Sequence, residues 1–198
     1  MSRRPAAFLD RDGVINLDRE YVYRREEFEY VPGVFDGARE LVRLGYALVV
    51  VTNQSGIARD LFTEEQFLEL ARWMEERFAT EGAPIAATYF CPHHPSAALE
   101  RYRLACNCRK PLPGMLLSAA AQLDLDLQRS AMFGDRLGDL EAARAADVPL
   151  RVLLGTDGVL MPIAPATDLV TMRGRSLAEV VLSEAFRQWV DARSMATR

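Results

Sequence analysis

Phe8-Leu9-Asp10-Arg11-Asp12-Gly13-Val14-Ile15-Asn16 runs an apolar segment directly into two carboxylates and a glycine. Ala6, Ala7, Phe8 and Leu9 are too few for a helix and suit a short buried strand. Asp10 then falls at the strand's carboxyl end, where open α/β sheets bind their ligands. Asp12 follows two residues on, and Gly13 permits a sharp turn that lets both carboxylates face one point. A pair so placed suits one carboxylate as nucleophile and the other as general acid and base. The plainer reading is a turn with Asp at its favoured positions. A calcium loop fits less well, because no Glu follows at the required spacing and no helix precedes it.

The flanking chain alternates strand and helix patterns. From Asn16 to Tyr30 charges mix with tyrosines without a sustained period, which predicts an ordered loop over the strand ends. Pro32-Gly33 opens a helix to about Leu44, with Val34, Phe35, Ala38, Leu41 and Val42 on one face and Gly45 just past its end. Tyr46 to Thr52 reads as a central strand, and Asn53-Gln54-Ser55-Gly56 as a polar loop. Thr63 to Gln66 has a capping-box pattern and starts a helix to about Thr80, with Phe67, Leu70, Ala71, Met74 and Phe78 facing the core. Ala86 to Phe90 is a third strand, and Pro113 begins a helix to about Leu123. Ala131 to Phe133 is a strand ending in Gly134-Asp135, Leu137 to Ala146 is helical, and Leu150 to Leu154 is a strand. Asp168 to Met172 is a weaker strand, and a capping pattern at Ser176 to Glu179 begins a final helix towards Ser194. The expectation is one α/β domain over residues 1–198: a Rossmann-like three-layer α/β/α arrangement around a mostly parallel sheet.

Net charge is −4, with scattered arginines and no basic face, so a nucleic-acid partner is not expected. The strongest apolar run, Tyr46 to Val51, is far too short to cross a bilayer, and Arg3-Arg4 precedes too few apolar residues for a secretory signal. A cytoplasmic monomer is expected. The three cysteines, Cys91, Cys106 and Cys108, fall within one short window with His93, and an odd count argues against a disulfide framework. Three thiolates and one imidazole complete the closed tetrahedral shell of a structural Zn²⁺, in a loop over about residues 91–110. His94 could take the place of His93, and unpaired surface thiols are the bland alternative.

With its four spaced motifs the sequence resembles the haloacid dehalogenase superfamily of aspartate-nucleophile phosphatases. The motifs are Asp10-Arg11-Asp12-Gly13, Thr52 at the end of an apolar run, Lys110 in Arg109-Lys110-Pro111, and Gly134-Asp135-Arg136 with Asp139 following. The resemblance implies that Asp10 attacks phosphorus, that Asp12 serves as acid and base, and that Thr52 and Lys110 hold phosphoryl oxygens. It implies Mg²⁺ on Asp10, Asp135 and the backbone carbonyl of Asp12, with Asp139 and Arg136 in support. About forty residues between Asp12 and Thr52 leave no room for a separate cap domain.

Val51 to Arg59, Cys91-Pro92-His93-His94-Pro95 and Cys106-x-Cys108-Arg109-Lys110-Pro111 narrow the likeness to a subgroup acting on heptose bisphosphates or histidinol phosphate. A small-molecule sugar bisphosphate is thus the expected substrate, contacted by Asp18, Arg19, Glu20, Tyr21, Asn53, Gln54, Ser55 and Arg109. The planar fork of Arg109 suits a second, non-reacting phosphate. Histidinol phosphate remains the alternative substrate. A zinc-bearing, non-catalytic interaction protein is the alternative of a different kind.

Overall fold

The computed structural model describes residues 3–155, 159 and 168–195. Along the chain come β1 (Ala6–Leu9), α1 (Val34–Arg43), β2 (Ala47–Asn53), α2 (Ser55–Ala58), α3 (Glu64–Thr80) and β3 (Ile85–Cys91). There follow α4 (Gly114–Gln122), β4 (Ala131–Gly134), α5 (Leu137–Ala145), β5 (Leu150–Leu154), β6 (Met172–Gly174), α6 (Leu177–Val181) and α7 (Glu184–Met195). The six strands form one sheet in the order β3-β2-β1-β4-β5-β6, and every pairing is parallel.

Alternation along the buried strands builds two cores. Ala7 and Leu9 of β1, Leu48 and Val50 of β2 and Phe133 of β4 face one side, with Leu41, Met74, Phe78, Val181 and Phe186. Ala6, Phe8, Val49, Val51 and Met132 face the other, with Met115, Leu116, Ala119, Ala142 and Ala143. A sheet covered on both faces explains why β1 and β2 read as continuous apolar runs. Each fully buried Phe or Leu contributes about 1.5–3 kcal/mol by leaving water. The predicted inward residues of α3 are all buried, and its capping box is present: Gln66 N donates to Thr63 Oγ1 at 3.2 Å, and Thr63 N to Gln66 Oε1 at 2.8 Å.

Chain order reverses between β1 and β4, and at such a switch point the strands' carboxyl ends leave a crevice. Asp10 leaves β1 and Asp135 leaves β4 there. Only a loop and a 3-10 turn (Arg25–Glu27) lie between β1 and α1, and only α2 and α3 between β2 and β3, so no cap domain interrupts either interval.

Three local expectations need correction. The polar loop expected at 53–56 is partly helical, since Ser55 and Gly56 begin α2 and Ile57 is buried against Phe62, Phe67 and Ala71. The weak strand lies at Met172–Gly174, not 168–172, because the Arg151 guanidinium takes the carbonyls of Asp168 and Leu169 at 2.8 Å each, diverting them from a ladder. The final helix is two helices. Ser183 breaks it: its hydroxyl donates to Val180 O at 2.6 Å and accepts from Phe186 N at 3.2 Å, opening α7. Ser176 caps α6 through Glu179 N, but the Glu179 carboxylate returns to Arg175 N, so the box is not reciprocal.

Candidate active site

The crevice is a cleft of about 330 Å³ lined by Asp10, Asp12, Thr52, Asn53, Gln54, Ser55, Arg109, Lys110, Arg136 and Asp139 together with Asp18, Glu20 and Tyr21. At its floor, Asp10 accepts hydrogen bonds on Oδ1 from Arg11 N at 2.7 Å and from Lys110 Nζ at 3.0 Å. Lys110 also reaches Asp139 Oδ1 at 2.6 Å and Val51 O at 2.8 Å, so all three ammonium protons have acceptors. Its contact with Asp139 matches the supporting role expected of that residue.

Asp10, Asp135 and Asp139 each offer an oxygen within 4.8 Å of the others. Burial pushes the Asp10 carboxyl up to about 8 against the opposing Lys110 charge, with Asp139, Asp135 and Asp12 adding to the rise. Burial and then Asp139 push Asp135 up to about 7. One ammonium for three buried carboxylates leaves the cluster short of positive charge, and Asp135 Oδ1 is buried without a partner. A hard divalent cation preferring oxygen ligands fits such a donor set. Gly13 is what permits it. Its φ is +83°, and a Cβ there would lie 2.4 Å from Asp135 Oδ2.

Asp12 stands apart from the three. Its carboxylate accepts from Arg11 Nη2 at 2.9 and 3.0 Å, from Asn16 Nδ2 at 3.0 Å and from Gln54 Nε2 at 3.1 Å. Burial alone would raise its pKa, but the Arg11 guanidinium and these donors hold it below the usual carboxylate value. Gln54 also donates to Thr52 Oγ1 at 2.9 Å, so the Thr52 proton remains available to another acceptor.

Most of the residues assigned to substrate lie on the cleft, with different partners. Asn53 clamps the Lys110 backbone in both directions, donating to its carbonyl at 3.0 Å and accepting from its N–H at 3.1 Å. Arg109 Nη1 donates to His93 O at 3.2 Å. Arg136 Nη2 holds Asp18 Oδ2 at 2.8 Å, while Asp18 Oδ1 accepts from Glu20 N at 3.1 Å. Glu20 and Tyr21 both have positive φ, an uncommon backbone for side chains of this size. Arg19 is not brought to the cleft. It pairs with Glu29 at 3.2 Å on the surface.

Beside the cleft, Cys91 at the end of β3 meets His93, Cys106 and Cys108. Cys91 Sγ is 3.6 Å from Cys106 Sγ and 3.1 Å from Cys108 Sγ, and His93 Nδ1 is 3.6 Å from Cys91 Sγ and 3.3 Å from Cys108 Sγ. These spacings are too long for disulfides, near 2.05 Å, and close to the roughly 3.7 Å edge of a tetrahedral thiolate shell. His94 turns elsewhere, to Arg59 and Ser96. Gly114 seats α4 against this loop, where a Cβ would meet Asn107 O at 2.3 Å.

Arg11 is the functional residue that pattern reading passed over. It is 1% exposed, touches Asp12 and donates to Val22 O at 2.7 Å. The available signal was a cation set between two carboxylates at the end of an apolar strand.

The HAD-hydrolase-like family model matches residues 107–165, the stretch carrying Lys110, Asp135 and Asp139. A curated protein of Yersinia pestis is 51% identical over 179 residues, 90% of either chain. The chain belongs to the haloacid dehalogenase-like phosphatases. The Yersinia pestis relative is named D-glycero-beta-D-manno-heptose-1,7-bisphosphate 7-phosphatase. A Vibrio cholerae relative of the same name is 46% identical over 179 residues, 90% of this chain and 91% of its own. Among solved structures, D,D-heptose 1,7-bisphosphate phosphatase from B. bronchiseptica, complexed with magnesium and phosphate, superposes with a TM-score of 0.74. It is 32% identical and covers 93% of this chain and 98% of its own.

Proposed function

We propose that this chain is a Mg²⁺-dependent phosphatase that removes the C7 phosphate of D-glycero-D-manno-heptose 1,7-bisphosphate, leaving heptose 1-phosphate. The observation that carries the reading is the convergence of Asp10, Asp12, Thr52, Lys110 and Asp139 on one cleft at the switch point, with Asp135 buried beside them. The names of the relatives supply the substrate. Asp10 and Asp135 with the backbone carbonyl of Asp12 would hold Mg²⁺, which when bound supplies neutralising charge to the phosphoryl group.

Asp10, oriented by Arg11 N and Lys110, attacks phosphorus and forms an aspartyl phosphate as the bond to the C7 oxygen breaks. Protonated Asp12 gives its proton to the departing alkoxide, then takes one from the water that hydrolyses the intermediate. The free Thr52 proton meets a phosphoryl oxygen, and Lys110 balances charge at the floor. Arg109 and Arg136, on the cleft's walls, suit the non-reacting anomeric phosphate. A non-catalytic interaction protein would have no use for this set of buried, mutually repelling carboxylates.

A structural Zn²⁺ on Cys91, His93, Cys106 and Cys108 belongs to the same reading. It would stiffen the loop that carries Arg109 and Lys110. So does a cytoplasmic, monomeric, single-domain enzyme: three unpaired cysteines suit a reducing compartment, and among the described residues no helix is long and apolar enough to cross a membrane. The test is kcat/KM on a panel of heptose bisphosphate, fructose 1,6-bisphosphate and histidinol phosphate. Preference for histidinol phosphate would move the assignment to that substrate.

A further inference from the structure

Arg11 sits between the nucleophile and the acid in sequence, yet its side chain turns inward, 2% exposed, beneath the loop that lines the cleft. One nitrogen, Nη2, makes every hydrogen bond the guanidinium has: both oxygens of Asp12 and the carbonyl of Val22. Nε and Nη1 are buried with no partner, and the group lies 5.6 Å from the centre of the Phe67 ring. Burying a cation with two idle donors costs stability, and an apolar side chain of similar volume would pack there at no such cost. The arrangement makes sense if the return is at Asp12.

We propose that Arg11 is a positioning residue for proton transfer. It fixes the Asp12 carboxylate and, through Val22 O, ties it to the loop of Asp18, Glu20 and Tyr21 on the cleft wall. Val22 is itself buried and packs into the main core, so the guanidinium anchors Asp12 to a fixed point of the fold. Asn16 and Gln54 each hold one oxygen only. Without Arg11 the carboxylate keeps those two bonds but loses the partner that spans both oxygens. The inference rests on the proposed reading of Asp12 as the acid.

Leaving-group dependence tests it. A sugar alkoxide is a strong base that must be protonated as it departs, whereas p-nitrophenolate leaves with little help. The comparison is kcat/KM for the heptose bisphosphate and for p-nitrophenyl phosphate in Arg11→Met, Arg11→Lys and Asp12→Asn. This ratio reports steps up to departure of the alcohol and excludes later hydrolysis of the aspartyl enzyme. Arg11→Met should fall about 100-fold on the sugar phosphate and less than about fivefold on the aryl ester, the span of general-acid assistance. Its thermal midpoint should stay at or above that of the unaltered protein. Arg11→Lys should recover part of the sugar-phosphate rate, since charge is kept without the planar grip, and it carries the comparison should Arg11→Met not be recovered folded. Equal losses on both substrates, or none, would overturn the inference. A selective loss in Asp12→Asn with none in either Arg11 variant overturns it while sparing Asp12 as the acid. No selective loss in Asp12→Asn removes the acid assignment and the inference with it.

Discussion

Lys110 Nζ lies 3.0 Å from Asp10 Oδ1, joining two residues a hundred positions apart at the floor of the cleft. The same ammonium holds Asp139 and the carbonyl of Val51, so one cation secures the ends of β1 and β2 and the start of α5. Lys110→Met would strand buried carboxylates without a counter-charge. Breaking such a pair costs about 3–5 kcal/mol, and denaturant unfolding should show a loss of that order alongside collapse of activity. An unchanged midpoint would mean that the carboxylates are neutralised by something other than Lys110.

The raised pKa values of Asp10 and Asp135 give a signed dependence on pH. Both lie above the ordinary carboxylate value of 3.8, at about 8 and about 7, so without metal the native state keeps protons that the unfolded chain has lost. Their contribution is fully present below about pH 4 and is lost as pH rises through about 7 to 8. Mg²⁺ binds the ionised forms, so the rise in thermal midpoint on adding it should be larger at pH 8 than at pH 5.5. A larger rise at pH 5.5 would contradict the account.

Much of this site could be read from residue order, because Asp10, Thr52 and Asp135 each end or directly follow an apolar strand and parallel topology then brings them together. What escaped depended on contacts distant in sequence. Asn53 looked like a substrate ligand but is occupied by Lys110, 57 residues away. Arg19 shares a loop with Asp18, yet pairs with Glu29. The one-turn helix α2 is too short for any periodicity to declare itself, and its form follows from burying Ile57 beneath Phe62. Arg151 draws two carbonyls out of the predicted sixth strand, a tertiary effect without a local signature.

Gly13 gives a prediction that separates strain from function. Gly13→Ala puts a Cβ 2.4 Å from Asp135 Oδ2, so Asp135 must move, and misplacement by about 1 Å costs on the order of 100-fold in rate. Gly82→Ala also demands a positive φ, +76°, but has nothing within 4 Å of the added atom. It should lose about 1 kcal/mol of stability and retain its rate. Equal kinetic effects from the two variants would refute this view of Gly13.

The cysteine cluster predicts about one zinc per chain by metal analysis of protein purified without chelator. Cys106→Ser should lower the zinc content and loosen the loop in which His93 O holds Arg109. KM for the bisphosphate should then rise more than KM for a small monophosphate, because only the former uses the second contact. Full zinc content in all three Cys→Ser variants would point to other ligands.

Phosphorus NMR of the product formed from D-glycero-D-manno-heptose 1,7-bisphosphate tests the central claim most directly. Asp12 as the acid suits a primary alkoxide, and Arg109 and Arg136 are placed to retain the anomeric phosphate on the cleft wall. The account predicts loss of the C7 resonance with the anomeric phosphate retained, dependent on Mg²⁺ and abolished in Asp10→Asn. A product that keeps its C7 phosphate, or undiminished turnover by Asp10→Asn, would contradict it.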